Sequence, residues 1–213
     1  MIDDLGAVAL WGSYIVIWTL IGLSVISFSL IVERVIWFMR RREDLDALTA
    51  DLLTCTAQDD MDGAYALVKM KRSVEAQVIV DILPWYDAGP AALGQAMQAS
   101  VRAHRKALYS GLNFLGTLGN NAPFIGLFGT VLGVITAFQQ MGADALGSMD
   151  NVMSGIGEAL VATAVGILVA LPAVAAHNAL QGKALRIEEN IARVGHLLMA
   201  QLERVAHHHS EAN

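Results

Sequence analysis

The chain has 213 residues, of which 55% are hydrophobic and 16% charged, with a formal net charge of −6 and a mean hydropathy of +0.49. A soluble domain carries nearer 25% charged residues, so one ordinary soluble core is excluded as an account of the whole chain. The few basic residues are placed as topology signals and form no nucleic-acid-binding patch.

Charge is missing from three long stretches. Residues 5–32 and 107–143 contain no Asp, Glu, Lys or Arg, and residues 151–182 contain only Glu158. A spanning helix needs roughly 20 apolar residues, so the expected fold is all-α and polytopic, with three transmembrane helices. Residues 1–9 carry acid but no Lys or Arg, unlike the basic start of a secretory signal. They are expected to form an outer tail before an uncleaved first span over 10–39. Trp11, Tyr14 and Trp18 stand near the outer end of that span and Trp37 near its inner end, as interfacial anchors do, and Arg40, Arg41 and Arg42 close it.

Residues 40–106 form the expected helical cytoplasmic domain. EDLDALTADLLTC and SVEAQVIVDILPWY have helix-compatible spacing, and Pro84 with the 87–90 cluster marks a break. The Ala-rich segment after Pro90 is expected to run as helix into the second span. Cys55 is the chain's one cysteine, which leaves no intrachain disulfide to form and suggests an inert thiol. The second helix is placed at 107–141. The uncharged run 107–143 would be about 55 Å long at 1.5 Å per residue, more than a hydrocarbon core of about 30 Å, so this helix is expected to project into the cytoplasm. An outer loop follows at 142–151 and a third span at 152–182. Residues 183–213 are read as an amphipathic cytoplasmic helix and a solvated tail carrying His207, His208 and His209. Every Lys and Arg lies at Arg34, within 40–106 or within 183–204. The positive-inside rule therefore predicts a periplasmic N-terminus and a cytoplasmic C-terminus.

Two stripes of small residues mark the second and third spans. Gly116, Gly119, Pro123, Gly126, Thr130, Gly133 and Ala137 recur at steps of three and four on one helical face. Ala159, Thr163, Gly166, Ala170 and Ala173 do the same on the next helix. Such faces allow close backbone approach in a membrane, and Gly129 with Gly133 adds a GxxxG pair. Pro123 and Pro172 each remove a backbone hydrogen bond and can kink a helix.

Thr130 lies 14 residues before Asp144 and Thr163 lies 13 after Asp150, so both should sit about 20 Å below the outer loop. Several copies around an axis would make them a polar ring; the alternative is that each hydroxyl bonds back to its own helix. Glu158 shares a face with Asn151 and Ser154, about 12 Å below the loop. An intramembrane carboxylate is a functional-site hypothesis by default: it faces a hydrated path or another subunit, or else belongs to the wet outer interface. His177 and Asn178 stand at the inner end of the third span, with His177 read as an interfacial polar residue.

No Walker motif is present: GLFGTVLG lacks the GK[ST] ending. Gly155–Ile156–Gly157 lacks the third glycine and preceding strand of a dinucleotide site. No metal-ligand spacing and no nucleophile–base pair stands out. Neither enzymatic activity nor a cofactor is expected.

APFIGLFGTVLGVITAF followed by GEALVATAVGILVALPAVAAHN resembles the MotA/TolQ/ExbB proton-channel family, specifically its ExbB/TolQ branch, with ExbB slightly favoured. The resemblance implies an inner-membrane motor subunit that uses the proton motive force. It implies a homopentamer around the single transmembrane helices of an ExbD/TolR-type dimer, driving TonB or TolA. It also implies that Thr130 and Thr163 line the pore, that Glu158 and Asn178 are supporting polar residues, and that Pro172 belongs to the motif. Leu132 and Thr136 depart from the Trp and His that the branch often carries there. A MotA-like flagellar stator, which typically has four spans and a larger cytoplasmic domain, and a non-conducting membrane scaffold are the competing readings. With no Asp in any span, this chain cannot hold the shuttling carboxylate unless Glu158 does so, and a ring of hydroxyls with no acid among them needs an acid from a partner, because Thr donates and accepts but stores no proton.

Overall fold

A computed structural model describes the backbone of residues 2–143 and 149–211, and the side chains of residues 12, 14–139 and 152–204. Among these residues all regular structure is helical. The helices are α1 (Ile2–Arg40), α2 (Leu45–Ala57), α3 (Met61–Lys69), α4 (Val74–Ile82), α5 (Pro90–Tyr109), α6 (Leu112–Ala143) and α7 (Met149–Glu211), with a 3-10 turn at Leu83–Ala88 before α5. Three of them contain stretches long and apolar enough to cross a membrane: Tyr14–Arg40, Leu112–Gln139 and Val152–Arg204.

Several boundaries differ from those expected. Helix α1 begins at Ile2, so helix already runs through most of the segment 1–9. Helix α3 is an addition to the expected elements, although Asp60, whose carboxylate accepts from the Gly63 amide, supplies a good N-cap. The helix from Pro90 does not run on into the second span. It stops at Tyr109, and Gly111 adopts φ +75° before α6 begins at Leu112. A left-handed backbone at that position favours glycine, a local requirement that hydrophobic periodicity does not carry. At the other end of the span, helix persists through Ala143 and resumes at Met149, which shortens the expected 142–151 loop; residues 144–148 lie outside the described residues. Pro123 and Pro172 both sit inside helices that continue past them.

Contacts divide the chain into two units. The first comprises Met1–Arg34 and Gly111–Ala179. Its core is built by α1, α6 and α7 around Val16, Leu20, Leu118, Ala122, Val169, Ala170 and Ala173. Leu20, Ala122 and Ala173 are fully buried. Bulky side chains such as Trp18, Phe28, Phe124, Phe128, Leu168 and Leu171 face outward, the inside-out distribution of a helix bundle whose surroundings are apolar.

The second unit comprises Val35–Ser110 and Leu180–Asn213. Leu52, Ala64, Val68, Ile79, Ile82, Leu93, Ile191 and Leu198 form its buried apolar interior. Asp44 caps α2 by accepting from the amides of Asp46 and Ala47, and Ser73 caps α4 by accepting from Ala76. Polar contacts tie α7 to the short helices. Arg193 pairs with Asp46 at 2.6 Å, Gln201 donates to the Leu53 carbonyl at 3.1 Å, and Asn190 donates to Glu75 at 3.5 Å. Burial raises the Glu75 carboxyl above the usual carboxylate range, reinforced by the nearby Glu43 charge and opposed by its hydrogen bonds.

Candidate ion-path residues

The two small-residue stripes face each other within one chain. A Cβ placed on Gly126 would stand 2.6 Å from the Ala162 carbonyl oxygen and 3.0 Å from the Thr163 Cα, and one on Gly166 would stand 2.6 Å from the Ala122 oxygen. Gly133 lies against Ala159, and Gly129 against Ala162 and, on α1, Val16. Glycine at these positions removes the side chain that would hold α6 and α7 apart, so backbone meets backbone. The contacts run antiparallel, from Gly119 against Val174 to Gly133 against Ala159.

This register sets the two threonines. Gly129 meets Ala162, so Thr130 and Thr163, each one residue on in opposite directions, lie within about 3 Å of one level. Their hydroxyls differ. Thr130 is 9% exposed and its Oγ1 donates to the Leu127 carbonyl at 2.7 Å, the back-bonded arrangement that satisfies a hydroxyl within its own helix. The Thr163 Oγ1 is buried and has no hydrogen-bond partner among the described residues. A buried polar atom left in that state costs about 1–3 kcal/mol, so apolar packing alone does not account for a hydroxyl at this position.

Glu158 is exposed on α7, without an ion pair or hydrogen bond among the described residues. It lines a small cavity together with Tyr14 of α1 and Thr136 of α6. The Thr136 hydroxyl donates to the Leu132 carbonyl at 3.0 Å. Ser154, expected on the same face as Glu158, is exposed as well; the side chain of Asn151 lies outside the described residues. So do those of Trp11, Asp144, Asp150 and the His207–His209 run, although the helix itself reaches Glu211.

At the other end of this unit Asn178 is exposed. Its neighbour His177 has a structural role that sequence reasoning missed. Its Nδ1 lies 2.8 Å from the Leu112 carbonyl oxygen, and since a carbonyl only accepts, Nδ1 is the nitrogen that carries a proton. The ring lies over Gly116, where a Cβ would come within 2.9 Å of Cε1. Residues 65 positions apart make this contact, and nothing local to either announces it. Sequence alone marks Tyr14 only as an anchor and Thr136 only as a departure from a motif. Thr136 follows Gly129 and Gly133 at helical spacing, a signal that could have placed it on the same face. Among the described residues no cluster of His, Cys, Asp and Glu is arranged to hold a metal.

Three long apolar helices, two of them joined by opposed small-residue faces that each carry a threonine, with one lone carboxylate on another face of α7, define a polytopic membrane protein with polar groups placed inside its spans. Residues 68–193 match the model of the MotA/TolQ/ExbB proton channel family, and the chain belongs to that family. It is 38% identical over 92 residues to the Tol-Pal system protein TolQ of Pseudomonas aeruginosa, covering 43% of this chain and 40% of that protein. It is 44% identical over 84 residues to the biopolymer transport protein ExbB of Xanthomonas campestris pv. campestris, covering 39% of this chain and 33% of the relative. With ExbB of Neisseria gonorrhoeae the identity is 42% over 92 residues, 43% of this chain and 42% of the relative. The match to each of these curated relatives therefore spans less than half of the relative's length, and the relatives carry both ExbB and TolQ names, consistent with the ExbB/TolQ branch.

Proposed function

We propose that this chain is an inner-membrane motor subunit that works with an ExbD/TolR-type partner, using the proton motive force to energise TonB- or TolA-dependent processes at the outer membrane. The observation that carries the reading is the buried, unpartnered hydroxyl of Thr163 at the level of Thr130, inside a span that belongs to a proton-channel family. In this reading several copies, five by family resemblance, surround the partner's transmembrane helices, and the partner brings the titrating acid. The two threonines line the path, and a hydroxyl that both donates and accepts solvates or relays a proton without storing it. Gly126, Gly129, Gly133 and Gly166 hold α6 and α7 together, Pro123 and Pro172 shape them, and Glu158 and Asn178 support the path near its two ends. The distribution of Lys and Arg favours a periplasmic N-terminus and a cytoplasmic C-terminus.

Thr163→Val, which keeps shape and removes the hydroxyl, tests the reading. It is expected to abolish energised outer-membrane function while the oligomer still assembles with its partner, and Thr163→Ser is expected to restore function in part. Full function in the valine variant would overturn the assignment. Proton flux through the partner-bound complex separates this reading from a non-conducting scaffold, and native mass spectrometry tests the copy number.

A further inference from the structure

The lone carboxylate has a chamber of its own. Between α1, α6 and α7, within the first unit, lies a cavity of about 110 Å³. Its floor is made of small residues: Gly129, Gly133 and Ala137 from α6, with Gly155, Ala159 and Ala162 from α7. Because α6 and α7 touch along these residues, space is left on the α1 side, where Tyr14 and Ile17 complete the wall. Three polar residues line the chamber from three different helices: Tyr14, Thr136 and Glu158. Thr136 spends its proton on the Leu132 carbonyl, so its free lone pairs are left to accept.

Size and lining together select the occupant. A water needs about 10–15 Å³ of such space and two to four polar partners, so the chamber has room for several waters and has groups to hold them. A hydrocarbon chain would leave the Glu158 carboxylate without a hydrogen-bonding partner, which burial of a charged group does not tolerate. We propose that this cavity is a hydrated vestibule inside each protomer, a binding site for water and for the hydrated proton, which wets Glu158 from within its own subunit. The inference rests on reading Glu158 as a group of the ion path, and it adds a route: water reaches that carboxylate between α1 and α6 of one chain. Gly155 lies against Ala137, whose Cβ would stand 3.0 Å from one placed on Gly155, so small residues at both positions let α6 and α7 meet along this floor.

Thiol chemistry tests the proposal in membranes containing the full chain and its partner. The background is Cys55→Ser, since Cys55 is the one native thiol. Thr136→Cys places a thiol in the vestibule, and Ile135→Cys places one on the adjacent outward face. The probe is methanethiosulfonate ethylammonium, a small water-soluble cation. A thiol in apolar surroundings is held protonated and loses about tenfold in reactive thiolate for each unit its pKa rises. Thr136→Cys is therefore expected to react at least about tenfold faster than Ile135→Cys. Adding Glu158→Gln is expected to slow the cationic probe but not a neutral analogue. Reaction at Thr136→Cys no faster than at Ile135→Cys would overturn the vestibule. If Thr136→Cys fails to assemble, Tyr14→Cys on the opposite wall takes its place, and its rate is set against Ile135→Cys in the same way. A labelled vestibule in a chain whose Thr163→Val variant stays fully energised leaves the vestibule standing and removes the motor reading; an unlabelled one with that variant inactive does the reverse.

Discussion

Substituting Gly126 by alanine tests whether backbone contact between α6 and α7 organises the first unit. The added Cβ would lie 2.6 Å from the Ala162 oxygen, whereas ordinary contact begins near 3.4 Å, so the two helices must part locally by several tenths of an ångström or more. The opposing atom is a carbonyl in an unbroken helix and has no rotamer by which to move aside. Overpacking of this kind costs about 1–3 kcal/mol. Alanine also favours helix over glycine by about 0.8–1.0 kcal/mol, a gain that would partly hide the clash if Gly126→Ala were read alone. Gly157→Ala supplies the reference, because α7 leaves nothing within 4 Å of a Cβ there. Both changes carry the same propensity gain, so the difference between the two variants isolates the clash and should equal about 1–3 kcal/mol. Unfolding in mixed detergent–dodecyl sulfate micelles, followed by circular dichroism, measures it. Gly157→Ala is expected to be at least as stable as the unaltered chain, and Gly126→Ala clearly less stable. Equal stability of the two variants would refute the idea that the stripe exists for close packing.

Two further predictions concern the second unit. Glu75 is buried and its carboxyl is held above its ordinary value of 4.5, chiefly by desolvation. The folded state therefore keeps its proton to higher pH than the unfolded state does. Stability should fall as pH rises from about 4.5 through the folded pKa and then level off; Glu75→Gln should flatten this slope in thermal melts and be the more stable form at neutral pH, and an unchanged slope would show that another group sets it. At the start of α2, Asp44→Ala removes a cap that accepts from two amides and should cost about 1 kcal/mol. Asp46→Ala breaks a pair whose side chains are 83% and 51% exposed and should cost less, about 0–1 kcal/mol, so urea titration should rank the cap above the ion pair.

Much of the fold was legible because membrane spans announce themselves through the absence of charge. Three runs with at most one charged residue are a coarse and redundant signal, and the three long helices coincide with them. Boundaries were less legible, since they depend on single positions. The break at Gly111 needs one residue with φ +75°, and the early start of α1 runs through acidic residues that suggest a solvated tail. Helix α3 is nine residues long, too short for periodicity to stand out, and its visible sign was the capping Asp60.

The site was legible in composition and ambiguous in geometry, for a physical reason. A face of Gly, Ala and Thr is equally suited to lining a polar path and to packing helix on helix, because both uses need small side chains. The structure spends most of that face on packing: Gly126, Gly133 and Gly166 are consumed by contact between α6 and α7 of the same chain, and Thr130 is satisfied by its own helix. What packing does not absorb is the Thr163 hydroxyl and the Glu158 carboxylate. These two differ in how they are left over. The Thr163 hydroxyl is buried within the chain and lacks a partner among the described residues, so packing leaves it unsatisfied. Glu158 is exposed and beside a cavity, so water can satisfy it. The pair lies five residues apart on one helix, roughly 140° apart around its axis. A substitution at one should therefore leave the other's surroundings intact: Thr163→Val is expected to leave labelling at Thr136→Cys unchanged, and Glu158→Gln is expected to leave partner binding at the Thr163 level unchanged. Loss of both properties from either single change would mean that the two groups share one environment, which the helical geometry forbids.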